Sequence, residues 1–199
     1  MSWTVDRIKM AKAPDRRQAK SWTALRKALM SLIREKGFDA ITVQEILDRA
    51  DVGRSTFYAH TTGKVDLLRK SVRQLRSELL AQTLAKEKSG TSFRPLAYSR
   101  FMIDHLDANR DLYYNVVHTR GGEVVLKEIR NLVADFAKED LVAYGVAPGI
   151  TCEFAVQYLS GAFMAAVTWW LDRRPPVTAA ELDDMFRGYA ERGLGLTIK

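Results

Sequence analysis

The polar side chains that stand out in this sequence lie between residues 42 and 64. They carry hydroxyl, amide, guanidinium, imidazole and ammonium groups, which proteins use to reach phosphates and the edges of bases. The sequence around them has no nucleophile motif, metal-ligand spacing or glycine-rich phosphate loop, so binding to a nucleic acid is favoured over bond-making chemistry. The candidate contact residues are Thr42, Gln44, Arg54, Ser55, Thr56, Tyr58, His60 and Lys64.

Two short helices are needed to position these side chains, and the sequence predicts the first from Val43 to Ala50. Apolar residues recur there at three- and four-residue spacing, which marks one buried face. Thr42 stands where its hydroxyl can cap the first turn, and Glu45 three residues later completes a capping box.

A tight turn and a second short helix follow. Gly53 is expected to relax the backbone of the turn, while Val52 keeps one apolar side chain directed inward. The second helix runs from Arg54 to His60 around a buried Phe57. Two short helices joined in this way form a helix-turn-helix, whose second helix can enter the DNA major groove.

Each polar residue then has an expected contact. Arg54 can pair with guanine O6 and N7, the Thr56 methyl can meet a thymine methyl, and Ser55 lies beside them at the start of the second helix. Gln44 can reach the groove from the first helix, and the hydroxyl of Thr42 is placed for a backbone phosphate.

A second interpretation stays open at this stage. A bihelical motif also serves plain packing, so Tyr58 and His60 could lie within the helical unit and Arg54 could be only a solvated charge.

Positive charge is concentrated in the same part of the chain. Residues 1–80 contain 17 Lys and Arg against 9 Asp and Glu, whereas residues 81–199 contain 14 against 15. This asymmetry is typical of a nucleic-acid-binding module joined to a neutral domain, with a generally basic surface as the alternative. The basic segment at residues 1–16 either follows a DNA strand or is an unstructured tail.

The motif resembles the recognition-helix signature of the tetracycline-repressor (TetR) family of bacterial transcriptional regulators. The resemblance covers about residues 20–75 and departs from the family at Thr61, where Phe is usual, and at Gly53, where a capping residue is common. It implies phosphate contacts by Tyr58, His60 and Lys64. The positions in register are Gly37, Phe38, Ile41, Thr42, Val43, Ala50, Thr56, Phe57, Tyr58, His60, Lys64, Asp66, Leu67 and Leu68.

The rest of the chain reads as amphipathic helices, so the predicted fold is all-α with about nine helices. A three-helix DNA-binding head at residues 17–65 is expected to precede a helical effector-binding and dimerisation body at residues 66–199. The remaining predicted helices are 17–36, 64–86, 92–108, 111–118, 123–144 and 150–171, and a last one capped by Thr178.

The resemblance implies a homodimer that binds a palindromic operator and an effector pocket inside the body. Small and aromatic residues near the end of the chain suit helix packing across a twofold axis, although burial within one subunit remains the alternative. The dimer candidates are Tyr158, Gly161, Ala165, Trp169, Met185 and Tyr189. The ligand candidates, for which plain core packing is the alternative, are Phe101, His105, Tyr113, Tyr114 and His118.

Other functions receive less support. Asp104, His105 and Asp107 suggest acid–base chemistry only weakly, and we expect neither an enzyme nor a cofactor or metal. The single cysteine, Cys152, fits a cytoplasmic protein, and the absence of a run of about 18 apolar residues predicts no membrane segment. The alternative function is a regulator of the same fold that acts through a protein partner.

Overall fold

A computed structural model describes residues 16–87, 96–172 and 177–195, all in helices and the turns between them. Within these ranges there is no strand, so the predicted all-α class is confirmed. The elements are α1 (Arg16–Lys36), α2 (Val43–Ala50), α3 (Arg54–His60), α4 (Lys64–Glu87), α5 (Tyr98–Ala108), α6 (Arg110–Val117), α7 (Gly122–Ala143), α8 (Ile150–Asp172) and α9 (Ala179–Leu194).

The head forms because α1 buries one apolar stripe against both short helices. Leu25, Leu29 and Ile33 on α1 are fully buried together with Ile46 of α2 and Phe57 of α3. This contact removes the apolar faces of helices too short to be stable alone, and burial of each large apolar side chain contributes about 1.5–3 kcal/mol.

Helix boundaries agree with the predictions to within a few residues, with two informative differences. Helix α7 begins at Gly122, one residue before the predicted start at 123. Helix α5 begins at Tyr98, whereas its predicted start near residue 92 lies outside the described residues. Almost all of the basic segment at 1–16 lies outside them as well. The proposed division at residue 65 stays a prediction, because one continuous core cluster joins head and body.

Helix α8 requires a correction to the sequence analysis, because it is long and apolar enough to cross a membrane by length and composition. Its buried residues, among them Phe163 and Trp170, lie in the core with α7 and α9. Only 44% of its most apolar window is buried, because a second apolar face points away from the core. The high hydropathy of α8 therefore reflects two apolar faces, one buried and one exposed.

Candidate functional site

The first turn of α2 is built as predicted. The Thr42 hydroxyl accepts a hydrogen bond from the Glu45 N–H at 3.3 Å, and the Glu45 carboxylate accepts from the Thr42 N–H at 2.9 Å. The Thr42 hydroxyl also donates to Glu45 at 2.8 Å, so its proton is used within the protein. The N–H groups at the start of α2 remain the natural donors for an anion at this helix end.

The turn between the two short helices is bent by a different residue from the one predicted. Asp51 adopts the left-handed conformation, with φ 50°, whereas Gly53 has an ordinary φ of −67°. Asp tolerates this conformation better than most residues, which explains why the turn does not depend on glycine. Gly53 instead occupies the N-cap of α3 without a side-chain cap.

The exposed surface of the helix-turn-helix carries a chain of polar contacts. The Arg54 guanidinium donates to the side-chain oxygen of Gln44 at 2.7 Å, and the side-chain amide of Gln44 donates to the Asp48 carboxylate at 2.8 Å. Two predicted base-contact residues from different helices are thus brought together. Ser55 and Thr56 are exposed beside Arg54.

Tyr58 and His60 occupy different environments, although both were predicted phosphate contacts. Tyr58 is 53% exposed, with its ring edge against Phe57. His60 faces α1, where its Nε2 lies 2.8 Å from the Ser21 hydroxyl and its ring lies 6.0 Å from that of Trp22. The contacts of His60 favour the packing alternative for that residue, and phosphate contacts by His60 and by the exposed Tyr58 stay predictions.

Lys64 is also engaged within the protein. Its ammonium donates to the carbonyl oxygens of Phe38, Asp39 and Ile41 at 2.7–3.1 Å, and it lies 4.8 Å from the centre of the Phe38 ring. An ammonium has three N–H donors, so these bonds use all of them and tie the start of α4 to the loop before α2. A phosphate contact by Lys64 stays a prediction.

Thr61, one of the two departures from the family pattern, is accommodated by hydrogen bonding. Its side chain is 2% exposed, and its hydroxyl lies 3.0 Å from both the Gly63 carbonyl and the Asp66 carboxylate. Burial alone would raise the pKa of Asp66, but hydrogen bonds from Lys70, the Thr62 N–H and Thr61 lower it to about 2. A buried polar residue thus replaces an apolar one without leaving its hydroxyl unpaired.

Ion pairs that the sequence analysis missed hold α2 against α1. Glu35 pairs with Arg49, and Glu45 pairs with Lys36. The hydrogen bonds from Arg49 and Ser31 lower the pKa of Glu35 to about 2, and those from Lys36 and Thr42 do the same for Glu45. The only sequence signal for these ion pairs was the presence of opposite charges on two helices that were expected to pack together. That signal does not specify which residues pair.

A cavity of about 260 Å³ lies where the head meets the body. Residues of α1, α4, α5, α6 and α7 line it, so the pocket is not confined to the body as the resemblance implied. Most of its surface is aliphatic, and its polar wall residues include Arg26, Arg34 and His105. Burial lowers the pKa of His105, with the Glu78 charge opposing and the Arg26 charge reinforcing that shift.

Two of the five ligand candidates, His105 and Tyr113, reach this cavity. Phe101 packs against the core, and Tyr114 and His118 are exposed instead of lining it. The carboxylates beside His105 are bound by arginines: Asp104 pairs with Arg100 at 2.9 Å and Asp107 with Arg110 at 2.8 Å. No group of three or more potential metal ligands occurs among the described residues.

An exposed apolar face runs along α8 and α9. Tyr158 and Trp169 are exposed on α8, Met185 and Tyr189 are exposed on α9, and Gly161 and Ala165 leave room between the two aromatic residues on α8. Phe154 extends the face by one more turn and is 71% exposed. Its spacing of four residues before Tyr158 was the available sequence signal.

Comparison with known families matches both parts of the chain. Residues 25–70 match the model of bacterial regulatory proteins of the tetR family, and residues 94–192 match a transcriptional regulator C-terminal region. No curated protein matches the chain.

Solved structures share the fold over nearly the whole chain. A putative TetR-family regulator from Syntrophomonas wolfei has a TM-score of 0.68 at 14% identity, covering 90% of this chain and 97% of its own. A TetR regulator from Streptococcus agalactiae has a TM-score of 0.60 at 25% identity, covering 88% and 96%. FadR from Thermus thermophilus, a transcriptional repressor in complex with lauroyl-CoA, has a TM-score of 0.60 at 20% identity, covering 89% and 96%.

The helix-turn-helix, the helical body and the two family matches lead to one assignment. The chain belongs to the TetR family of bacterial transcriptional regulators.

Proposed function

We propose that this chain is a homodimeric repressor that binds a palindromic operator in double-stranded DNA and leaves it when a small-molecule effector binds. It acts in the cytoplasm, without a cofactor and without catalysis. The observation that carries the proposal is the exposed start of α3, where Arg54 and Gln44 lie together on the most basic part of the chain.

Sequence recognition is assigned to Arg54, Ser55 and Thr56, which are exposed at the N-terminal end of α3, where base edges are reached first, and to Gln44, which is exposed on α2. Arg54 can exchange the Gln44 oxygen for a guanine edge, and Gln44 is then released for a neighbouring base. A bidentate arginine–guanine contact contributes about 1–3 kcal/mol of discrimination.

Phosphate contacts are assigned to Tyr58, to Thr42 with the start of α2, and to the region around Lys64 and the start of α4. His60 acts indirectly, because its hydrogen bond to Ser21 sets the position of α3 on α1. Phosphate contacts carry most of the affinity and little of the specificity.

Dimerisation is assigned to the apolar face of α8 and α9, because large exposed apolar patches mark interaction sites. A symmetric dimer presents the same face from both subunits, which suits an operator with two related half-sites. The effector is assigned to the cavity between head and body, and the solved structure of FadR with lauroyl-CoA supports a ligand-responsive regulator.

The test is binding of the purified protein to a random-sequence duplex pool, followed by selection and sequencing of the bound fraction. We expect a palindromic consensus with half-sites about 34–36 Å or a multiple apart. Affinity for that consensus should fall about a thousandfold between about 50 and 200 mM salt if each dimer neutralises six or more phosphates. A flat salt response or an unselective pool would contradict the proposal.

The departures from the family pattern at Thr61 and Gly53 are the sequence features that favour the alternative, a regulator of the same fold that acts through a protein partner with weak or indirect DNA binding. Thr61 is hydrogen-bonded in its buried position, and α3 forms with Gly53 at its N-cap, so the helix-turn-helix is present with both departures. We therefore favour direct DNA binding.

A further inference from the structure

The cavity between head and body combines an apolar interior with two ion-paired arginines in its wall. Two arginines, Arg26 and Arg34, contribute to its wall, and no carboxylate is found among its described lining residues. The middle is aliphatic, from side chains such as Leu75, Met102 and Ile129. Such a wall suits a small apolar molecule that carries one anionic group.

Arg26 is the more enclosed of the two guanidinium groups, since 27% of its side chain is exposed against 42% for Arg34. It forms a two-point ion pair with Glu78 of α4, with Nη2 2.9 Å from Oε2. A guanidinium has five N–H donors, so this pair leaves the group able to bridge to a second acceptor. Arg34, in contrast, pairs with Asp111 in the first turn of α6 and donates a hydrogen bond to Asn109, the residue just before that helix.

We propose that the effector is a small apolar carboxylate whose anionic group binds Arg26 beside His105, with its apolar part between α4, α5 and α7. This inference rests on the proposed role of the cavity as the effector site and adds the chemical class of the ligand. The volume of about 260 Å³ lies just below the usual range for small-molecule pockets, so the ligand is compact.

A ligand bound to Arg26 would also contact the DNA-binding head directly. Arg26 belongs to α1, which packs against α2 and α3, whereas Glu78 belongs to the connecting helix α4. A carboxylate that shares the Arg26 guanidinium with Glu78 places a second negative charge beside the Glu78 carboxylate, and the repulsion between the two weakens the link between these helices. Effector binding thereby changes how the head is held on the body.

The test is calorimetric titration of the full-length protein with hexanoate and phenylacetate, each against its primary amide of nearly equal shape. We expect the acids to bind at least about tenfold more tightly than the amides, which corresponds to about 1.4 kcal/mol. Arg26→Gln should reduce that preference below about twofold. Lys27→Gln is the matched control, because it makes the same charge change at the next, exposed position of α1 and should keep the preference.

Glu78→Gln provides a test that misfolding cannot imitate, since it should tighten acid binding by removing the competing negative charge. Equal binding of acids and amides, unchanged acid binding in Glu78→Gln, or no heat from any of the four compounds would overturn the inference. These titrations contain no DNA, so a negative result would contradict the ligand class without affecting the DNA binding measured by duplex selection. Conversely, the ligand preference can be measured even if the selection yields no operator.

Discussion

Side chains of the head divide into those that face outward for recognition and those that hold the helices together. Tyr58 and His60 lie two residues apart on α3, yet Tyr58 is exposed and His60 is hydrogen-bonded to Ser21 of α1. We expect His60→Ala to lower the free energy of unfolding by about 1 kcal/mol, because a partly buried hydrogen bond is lost. Tyr58→Ala should leave stability within about 0.5 kcal/mol and weaken binding to all DNA sequences.

Thermal unfolding and duplex binding at one salt concentration separate the two effects. If His60→Ala left the unfolding temperature unchanged but abolished DNA binding, His60 would be a direct contact and its assignment to packing would be wrong.

Arg54 gives the sharpest test of sequence readout. Arg54→Ala should relax the preference at one base position of each half-site and cost about 1–3 kcal/mol of discrimination there, because the guanidinium is the group suited to a guanine edge. Selection from a random duplex pool measures the change. Arg130→Ala on α7 is the control, since it removes the same charge from an exposed site in the body. An unchanged consensus for Arg54→Ala would rule out direct readout by this residue.

The lowered pKa of His105 leads us to expect that stability depends on pH. Its pKa is lowered mainly by burial, so the folded protein binds fewer protons than the unfolded chain once the pH falls below about 6.5. Stability is therefore retained above that pH and is lost as the pH decreases toward the lowered folded-state pKa. His105→Gln should show a smaller fall of the unfolding temperature between about pH 7.5 and 5.5 than the native protein.

Exposed His118 supplies the control for that measurement, because His118→Gln removes an imidazole from the surface of the same region. Equal pH dependence in the native protein and His105→Gln would show that His105 is not the group responsible.

Helix α7 depends on a close approach that only glycine allows. A Cβ on Gly122 would lie 2.0 Å from the carbonyl oxygen of Val117, and one on Gly121 would lie 2.7 Å from the Phe38 ring of the head. The turn from α6 to α7 is thus packed directly beneath the loop that precedes α2. This contact joins the body to the DNA-binding head.

We expect Gly122→Ala to destabilise the protein by about 1–3 kcal/mol, because backbone atoms must shift to relieve the overlap. Gly188→Ala in α9 is the control, since its added Cβ would only meet the Arg192 side chain at 3.6 Å. There alanine should be neutral or stabilising by up to about 1 kcal/mol. Chemical denaturation of both variants measures the difference, and equal stabilities would show that the α6–α7 turn relaxes freely.

The elements of this fold were largely predictable because their signals are local. The capping box of Thr42 and Glu45 and the apolar spacing of α2 each depend on residues within one or two turns. What could not be predicted depends on residues far apart in sequence. The approach of Gly121 to Phe38, the pairing of Arg26 with Glu78 and the contact of His60 with Ser21 follow from how helices pack, which periodicity does not specify.

The whole molecule is organised around two apolar surfaces, one enclosed and one exposed. The enclosed surface is a continuous core that joins head and body, so a change at the cavity is close to the DNA-binding helices. The exposed surface lies on α8 and α9, whose described residues are not among those that line the cavity. A monomer that keeps such a surface in water loses the free energy that burying it would provide, about 25 cal/mol per Å².

Dimerisation through this surface makes a prediction that links assembly to DNA binding. Tyr189→Glu places a charge on a residue that is 64% exposed, so the subunit should fold normally while the dimer is destabilised. Sedimentation should then show monomers, and affinity for a two-half-site operator should fall far more than affinity for a single half-site, because linked heads bind at a high effective concentration. Val142→Glu adds the same charge to an exposed valine of α7 and should leave both the dimer and the operator affinity unchanged. A Tyr189→Glu protein that remained dimeric would place the twofold interface elsewhere on the body, and the apolar face of α8 and α9 would then need another partner.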